Sequence, residues 1–323
     1  MSTNQPASFE QKNRLRSIVN RTTELAPLRS VAARAIHLAE DERSAAMDLA
    51  TVISSDQALT SKLLRLSNSA YYGYSRRIAN VREAVILLGM RTVRSVAISS
   101  GIIDSFNVPT PHEEFAKDLF WAHSVCVGLV AEVVARETRL ARPEDAFTAG
   151  VLHDVGKLAM MLAEPDQFAD VVDLILTEHM NYGEAELAVF GIGHEHVGAR
   201  LAQRWKFPEP LVDGIRHHHQ DRPIAVLDSL ADIVAVANLA CDREGLACGF
   251  DWTMDESRKP TQALPDAVDK AIRRVHGGME TIEGKARAFL VHVTNRAPRW
   301  YGLPEGQLID DETFPAAGAR DVA

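Results

Sequence analysis

The residues of this chain best suited to chemistry are a histidine and an aspartate side by side, His153 and Asp154, in the run Val151-Leu152-His153-Asp154-Val155-Gly156-Lys157. A carboxylate pressed between apolar neighbours on a buried helix is costly unless a cation or strong donors compensate it. Imidazole nitrogen together with carboxylate oxygen suits a transition metal, and Gly156 leaves room for another backbone or an anionic ligand to approach. A hydrogen-bonded core pair with Lys157 as counter-charge would satisfy an isolated His-Asp dipeptide equally well. This pair has company. His123 lies among Trp121, Ala122 and Val125, His194 opens Gly193-His194-Glu195-His196-Val197-Gly198, and His218 and His219 precede Pro223. A metal needs three or more such ligands, and a helical bundle supplies them as inward-facing side chains from different helices.

The elements that must position these residues read as helices. Apolar residues recur at helical spacing and period-two alternation is scarce, so the fold class is all-α. Ser44 is a plausible N-cap for one helix and Ser55-Asp56 for the next, which Asn68-Ser69 breaks; Val81 to Leu88 ends at Gly89, and Val93 to Ile103 begins another. Two prolines in Asn107-Val108-Pro109-Thr110-Pro111 mark a linker. Seven longer helices follow, over Phe115 to Glu137, Pro143 to Leu162, Ala169 to Met180, Gly183 to Phe190, His194 to Trp205, Pro210 to His217 and Ile224 to Cys241. The expected organisation is a polar lead over 1–17, an N-terminal multi-helix subdomain over 18–108, a helical bundle over 112–245, and a C-terminal helical extension with a mobile tail over 246–323.

Composition narrows the class. Among 323 residues 46% are hydrophobic and 24% charged, which excludes disorder as the main state. A net charge of −9 disfavours wholesale wrapping of nucleic acid, so DNA or RNA is not the expected partner. Three cysteines without CxxC spacing fit neither a disulfide framework nor a cysteine zinc site. Met1 to Arg16 lacks the apolar run of a signal peptide, and no segment approaches the roughly 20 apolar residues of a membrane span. The expected location is therefore cytoplasmic, with no membrane partner.

The order His123, His153-Asp154, His194, His218-His219 resembles the HD superfamily of metal-dependent phosphohydrolases, especially the HD-GYP cyclic-di-GMP phosphodiesterases. The first third narrows this. Leu25-Ala26-Pro27-Leu28, the run from Asp48 to Asp56, the run from Leu63 to Gly73, Ala84 to Gly89 and Ala149 to Lys157 look like the HDOD family, the HD-related output domain of bacterial signalling. The resemblance runs from about Leu25 to Cys241. It implies an N-terminal helical subdomain docked on an HD-like bundle, with His123, His153, Asp154, His194, His218, His219 and Asn238 around one or two divalent ions such as iron, manganese or zinc. It also implies signalling, through a protein partner in trans or a nucleotide ligand, in a family whose members look like non-catalytic relatives of the HD enzymes.

Departures from the pattern matter as much as matches. The superfamily's last metal-binding aspartate falls where this chain has Asn238, whose amide oxygen can coordinate but balances less positive charge. Gln220-Asp221-Arg222-Pro223 follows the His218-His219 pair with no Gly-Tyr-Pro, the signature linked to cyclic-di-GMP hydrolysis. The leading expectation is thus a non-catalytic signalling module, and the alternative is an HD-type phosphohydrolase acting on a nucleotide. In the alternative, Asp154 bridges or orients a hydroxide and Lys157 contacts a phosphate oxygen.

Arg76, Arg77 and Arg94 lie in an arginine-rich stretch near Tyr71, Tyr72 and Tyr74, a surface for a phosphate or an acidic protein partner, although a solvated helix flank reads the same way. A helix-turn-helix over Ser44 to Ser67 carries only Lys62 and Arg65 on its second helix, thin for groove reading. Cys126 near His123 lacks any sign of an acyl pocket for a cysteine nucleophile. His37, His112, His179, His196, His276 and His292 read as surface or satisfied core histidines, and His217 alone of the run 217–219 has no counterpart in the family the chain resembles.

Overall fold

The structure, a computed structural model, describes residues 9–38, 42–68, 77–106, 117–219, 224, 226–243, 264–274 and 282. All regular structure among them is α-helical, as the apolar periodicity requires. The chain begins with α1 (Phe9–Leu25), then α2 (Ser30–His37), α3 (Glu42–Ser54), α4 (Gln57–Ser67), α5 (Val81–Leu88) and α6 (Met90–Ser105). After them come α7 (Lys117–Thr138), α8 (Pro143–Leu152), α9 (Val155–Ala163), α10 (Pro165–Thr177), α11 (Tyr182–Phe190), α12 (His194–Arg204), α13 (Glu209–Arg216), α14 (Leu230–Arg243) and α15 (Asp266–Arg274).

Local chemistry sets many of the boundaries. Asp56 Oδ1 accepts from Leu59 N at 2.9 Å at the start of α4, and Asn80 Oδ1 accepts from Glu83 N at 2.9 Å at the start of α5. Gly89, at φ +86°, ends α5 and lets α6 leave in a new direction, a backbone state that a side chain would strain. Asn181 caps α11 through Glu184 N at 2.9 Å, and left-handed Gly191 closes it. Pro143 sits in the first turn of α8, where its missing N–H costs nothing.

Helices α2 to α6 pack on one another as an N-terminal unit, and α7 to α14 form the bundle. The two meet where α6 lies on α8, with Thr148 Oγ1 donating to Ser95 Oγ at 2.9 Å. Two expectations change here. The stretch read as a polar lead over 1–17 is helical from Phe9, and the 17/18 boundary falls inside α1. Helix α1 packs on α9 and α12 of the bundle, with Ile18 and Val19 buried. Its polar face holds it there too: Gln11 Nε2 donates to Gly191 O at 2.7 Å, Arg14 to Val189 O at 3.0 Å and Thr22 Oγ1 to Ala159 O at 3.2 Å. Residues 18–25 thus join the bundle, because the polar sequence hides an apolar stripe of helical period.

The second change is at the centre of the chain. The helix expected over Pro143 to Leu162 is two helices, α8 and α9, broken at His153 and Asp154, with Asp154 at φ −96°, ψ 6°. One straight rod could not satisfy both packings. Helix α8 presses on α7 so closely that a Cβ on Gly150 would lie 2.6 Å from Gly128 Cα, while a Cβ on Gly156 of α9 would lie 1.9 Å from His194 O of α12. Gly156 therefore admits another backbone.

The proline linker 107–111 lies outside the described residues, as does most of 246–323; within that extension, α15 packs on α7 and Arg274 pairs with Glu137. Cys126 and Cys241 are buried in the core, and Cys248 is outside the described residues. Among the described residues no single helix is long and apolar enough to cross a membrane.

Candidate metal centre

Four places in the bundle deliver the predicted residues: α7 carries His123, the α8–α9 break His153 and Asp154, the first turn of α12 His194, and the end of α13 His218 and His219. His123, His153, Asp154, His194 and His218 are buried, whereas His219 is exposed at the rim. Three imidazoles are anchored through Nδ1. His153 Nδ1 lies 2.7 Å from Gly150 O, His218 Nδ1 2.7 Å from Ile215 O, and His194 Nδ1 2.7 Å from Glu186 Oε2. A carbonyl or carboxylate oxygen only accepts, so each Nδ1 donates and Nε2 is left as the atom that takes a metal or a second proton.

Those Nε2 atoms converge. His123 and His153 Nε2 are 3.3 Å apart, His194 and His218 3.2 Å, and His194 and His219 3.1 Å. Asp154 stands between the two groups, with Oδ2 3.4 Å from His153 Nε2 and Oδ1 3.0 Å from His194 Nε2 and 3.4 Å from His218 Nε2. Ligand atoms thus gather around Asp154 twice, as His123, His153 and Asp154 and as Asp154, His194, His218 and His219, and a third group, Glu186, His194 and Glu195, lies on the other side of His194. Lone pairs facing each other across such gaps repel unless a proton or a cation lies between. Two imidazole nitrogens each about 2.1 Å from a tetrahedral ion stand about 3.4 Å apart, close to the spacing seen.

The electrostatics agree. Burial pushes Asp154 toward protonation, but its neighbours His153 and Lys157 outweigh it and hold the carboxyl well below its ordinary value. Burial likewise opposes charge on His194, yet the Glu186 carboxylate raises its pKa to about 9, so without metal a proton occupies this imidazole. Burial pushes His218 down to about 4, leaving it neutral and ready to ligate. Asn238 Oδ1 is buried and accepts no hydrogen bond among the described residues, and Asp154 Oδ1 faces the His194 and His218 Nε2 atoms. Asn238 lies on α14, which packs on α7 and α8, the helix of His123 and the one that leads into His153. The donor set and the orphaned Asn238 oxygen fit a divalent transition ion.

Lys157 is buried, donates to Asp154 Oδ2 at 2.8 Å and lies 4.5 Å from the centroid of the Tyr182 ring. Sequence reasoning missed Tyr182 and Glu186 of α11. The available signal was an acidic residue inside the apolar run Ala185 to Phe190, eight positions before His194. Of the predicted partner residues, Arg76 is outside the described residues and Arg77 is exposed. Arg94 lies on α6 within electrostatic reach of Asp145 on α8, a neighbour in the same chain. His196 points away from the cluster to Glu195 Oε1 at 2.6 Å.

Residues 25–221 match the family profile described as HDOD domain. An uncharacterized protein of Treponema pallidum (strain Nichols) is 31% identical over 173 residues, which are 53% of this chain and 33% of that protein. The match thus spans about a third of that relative's length. Among solved structures, an HDOD domain protein of unknown function from Geobacter sulfurreducens is 26% identical, with a TM-score of 0.65 over 90% of this chain and 99% of that one. A candidate phosphohydrolase from Shewanella amazonensis SB2B is 25% identical, with a TM-score of 0.61 over 84% and 98% of the two chains.

Proposed function

This chain belongs to the HDOD family of signalling-type proteins, and from that premise we propose that it signals by binding: its bundle holds one or two divalent ions, and the loaded centre takes a phosphate-bearing small ligand. The observation that carries the reading is the convergence of the His153, His194 and His218 Nε2 atoms on Asp154. His123, His153 and Asp154 would hold one ion and Asp154, His194, His218 and His219 a second, with Asn238 as a neutral contributor. A bound divalent ion supplies Lewis acidity and positive charge toward an anion.

The chain's own residues favour binding over turnover. Lys157 spends its ammonium on Asp154 and on the Tyr182 ring, and Asn238 brings no charge to a position where a carboxylate would strengthen the ion's hold. Occupancy would reach the N-terminal unit through α8, whose end leads into His153 and whose Thr148 bonds Ser95 of α6. A protein partner in trans would then read that unit, with exposed Arg77 among its contacts.

The test is the metal content of protein purified without added metal or an affinity tag. Stoichiometric iron, manganese or zinc, lost in His153→Ala and Asp154→Ala, supports the reading; protein that holds none and takes up none on dialysis overturns it. A second reading, a phosphohydrolase, is favoured by the carboxylate shared between the two clusters. Turnover of a cyclic dinucleotide with manganese or iron supplied, abolished by Asp154→Ala, would establish it.

A further inference from the structure

Helix α11 brings Tyr182 and Glu186, one turn apart, against the histidine centre from outside its ligand set. The Tyr182 ring centroid stands 5.7 Å from that of His194. Glu186 is only 1% exposed, and its Oε2 accepts the backbone N–H of His194 at 2.9 Å while facing the Nδ1 of the same residue at 2.7 Å. One carboxylate thus meets both the N-terminus of α12 and the ring of that helix's first residue, a position where the helix dipole also favours an anion.

We infer that Glu186 is the positioning residue of the centre: by fixing the His194 ring with Nδ1 as donor it decides whether the His194, His218 and His219 half holds an ion, while the His123 and His153 half does not depend on it. The inference rests on the metal reading above and adds a division of labour within it. His153 and His218 are anchored by neutral carbonyls, whereas His194 is anchored by a charged acceptor, a stronger bond that raises the ring's basicity as a ligand.

His194 is also the hub of its half, since its Nε2 is the atom that both His218 and His219 face, at 3.2 and 3.1 Å. With the opposite tautomer, an N–H would point into the space where an ion should sit. Charge adds to orientation. In the two clusters that meet at Asp154, that residue supplies the sole carboxylate, and Asn238 is neutral. Glu186 therefore places a second negative charge one imidazole away from the ion.

Two substitutions separate the contributions. Glu186→Gln keeps an acceptor for the His194 N–H groups and removes the charge; Glu186→Ala removes both. The full chain, stripped with a chelator, is titrated with zinc alone, and the exchange-protected Nδ1–H of His194 is followed by NMR. Glu186→Ala should weaken one zinc site by about 10–100-fold and lose the protected proton, Glu186→Gln should weaken the same site less, and the other site should bind as before. Glu184→Gln, an exposed change on the same helix, should match the unaltered protein. A folded Glu186→Ala that binds zinc like the unaltered protein overturns the inference and leaves the metal reading intact. Should the unaltered protein bind no zinc or other divalent ion, the metal reading fails, and this inference fails with it. If Glu186→Ala does not fold, Glu186→Gln decides, because an unchanged zinc profile in that variant removes the role assigned to the charge.

Discussion

The N-terminal unit and the bundle use the same polar groups under opposite conditions. In the unit, Asp104 takes Arg29 at 3.0 Å and Lys62 on its other oxygen, and Arg29 reaches Asp56 at 3.2 Å, all with side chains that water still touches. In the bundle, Asp154, Lys157, His153, His194 and His218 are enclosed, and each finds its counterpart among the others. Where water reaches, a lost partner is replaced by solvent. Where it does not, the remaining charge has nothing, so the buried set specifies one arrangement and the exposed set only decorates it.

The largest effect should come from Asp154→Ala in the metal-free protein. It leaves the Lys157 ammonium buried without its carboxylate and the His194 imidazolium with Glu186 alone, at a cost of about 3–5 kcal/mol measurable by urea denaturation. A loss below about 1 kcal/mol would mean that the centre is wetter than its burial indicates, and the contrast with the N-terminal unit would collapse.

Acidity gives the same contrast without a mutation. The His218 pKa, lowered by burial to about 4 from 6.5, means that the unfolded chain takes up a proton first as pH falls, so stability drops between about 6.5 and 4. For His194 the sign reverses: with the pKa raised to about 9, its contribution is full below 6.5 and fades as pH rises to 9. Depressed Asp154 adds stability above its ordinary value and loses it as pH falls further. Metal-free protein should be most stable near pH 6.5, and saturating zinc should move that maximum upward. Melting curves across pH check both, and a flat profile would deny the histidines their role.

Gly156→Ala tests packing rather than charge. Its Cβ would overlap His194 O, so α12 must shift, at about 1–3 kcal/mol and with weaker metal binding. Stability lost without any change in zinc affinity would show that ligand positions tolerate a moved α12. The smallest effect belongs to the unit: Arg29→Ala should cost about 0.2–1 kcal/mol, with the difference shrinking in high salt. A salt-independent loss larger than that would make the exposed network as demanding as the buried one.

Much of this protein is written in its residues one segment at a time. Helical periodicity, Asn80 before Glu83, Gly89 and Gly191 after apolar runs, and Pro143 at a helix start announce the elements locally, because caps and periodic stripes act over a few residues. The identity of His123, His153, Asp154, His194, His218 and His219 as a group was also legible, since polar side chains in apolar runs demand partners. What the chain alone left open depends on contacts far apart in sequence. The break at His153 and Asp154 exists because α8 must meet α7 at Gly128 while α9 meets α12 at Gly156. Helix α1 joins the bundle through carbonyls about 175 residues away. Glu186 resembles any helical glutamate until folding sets its carboxylate on the ring of His194, and only the three-dimensional approach of α11 to α12 makes that oxygen part of the centre.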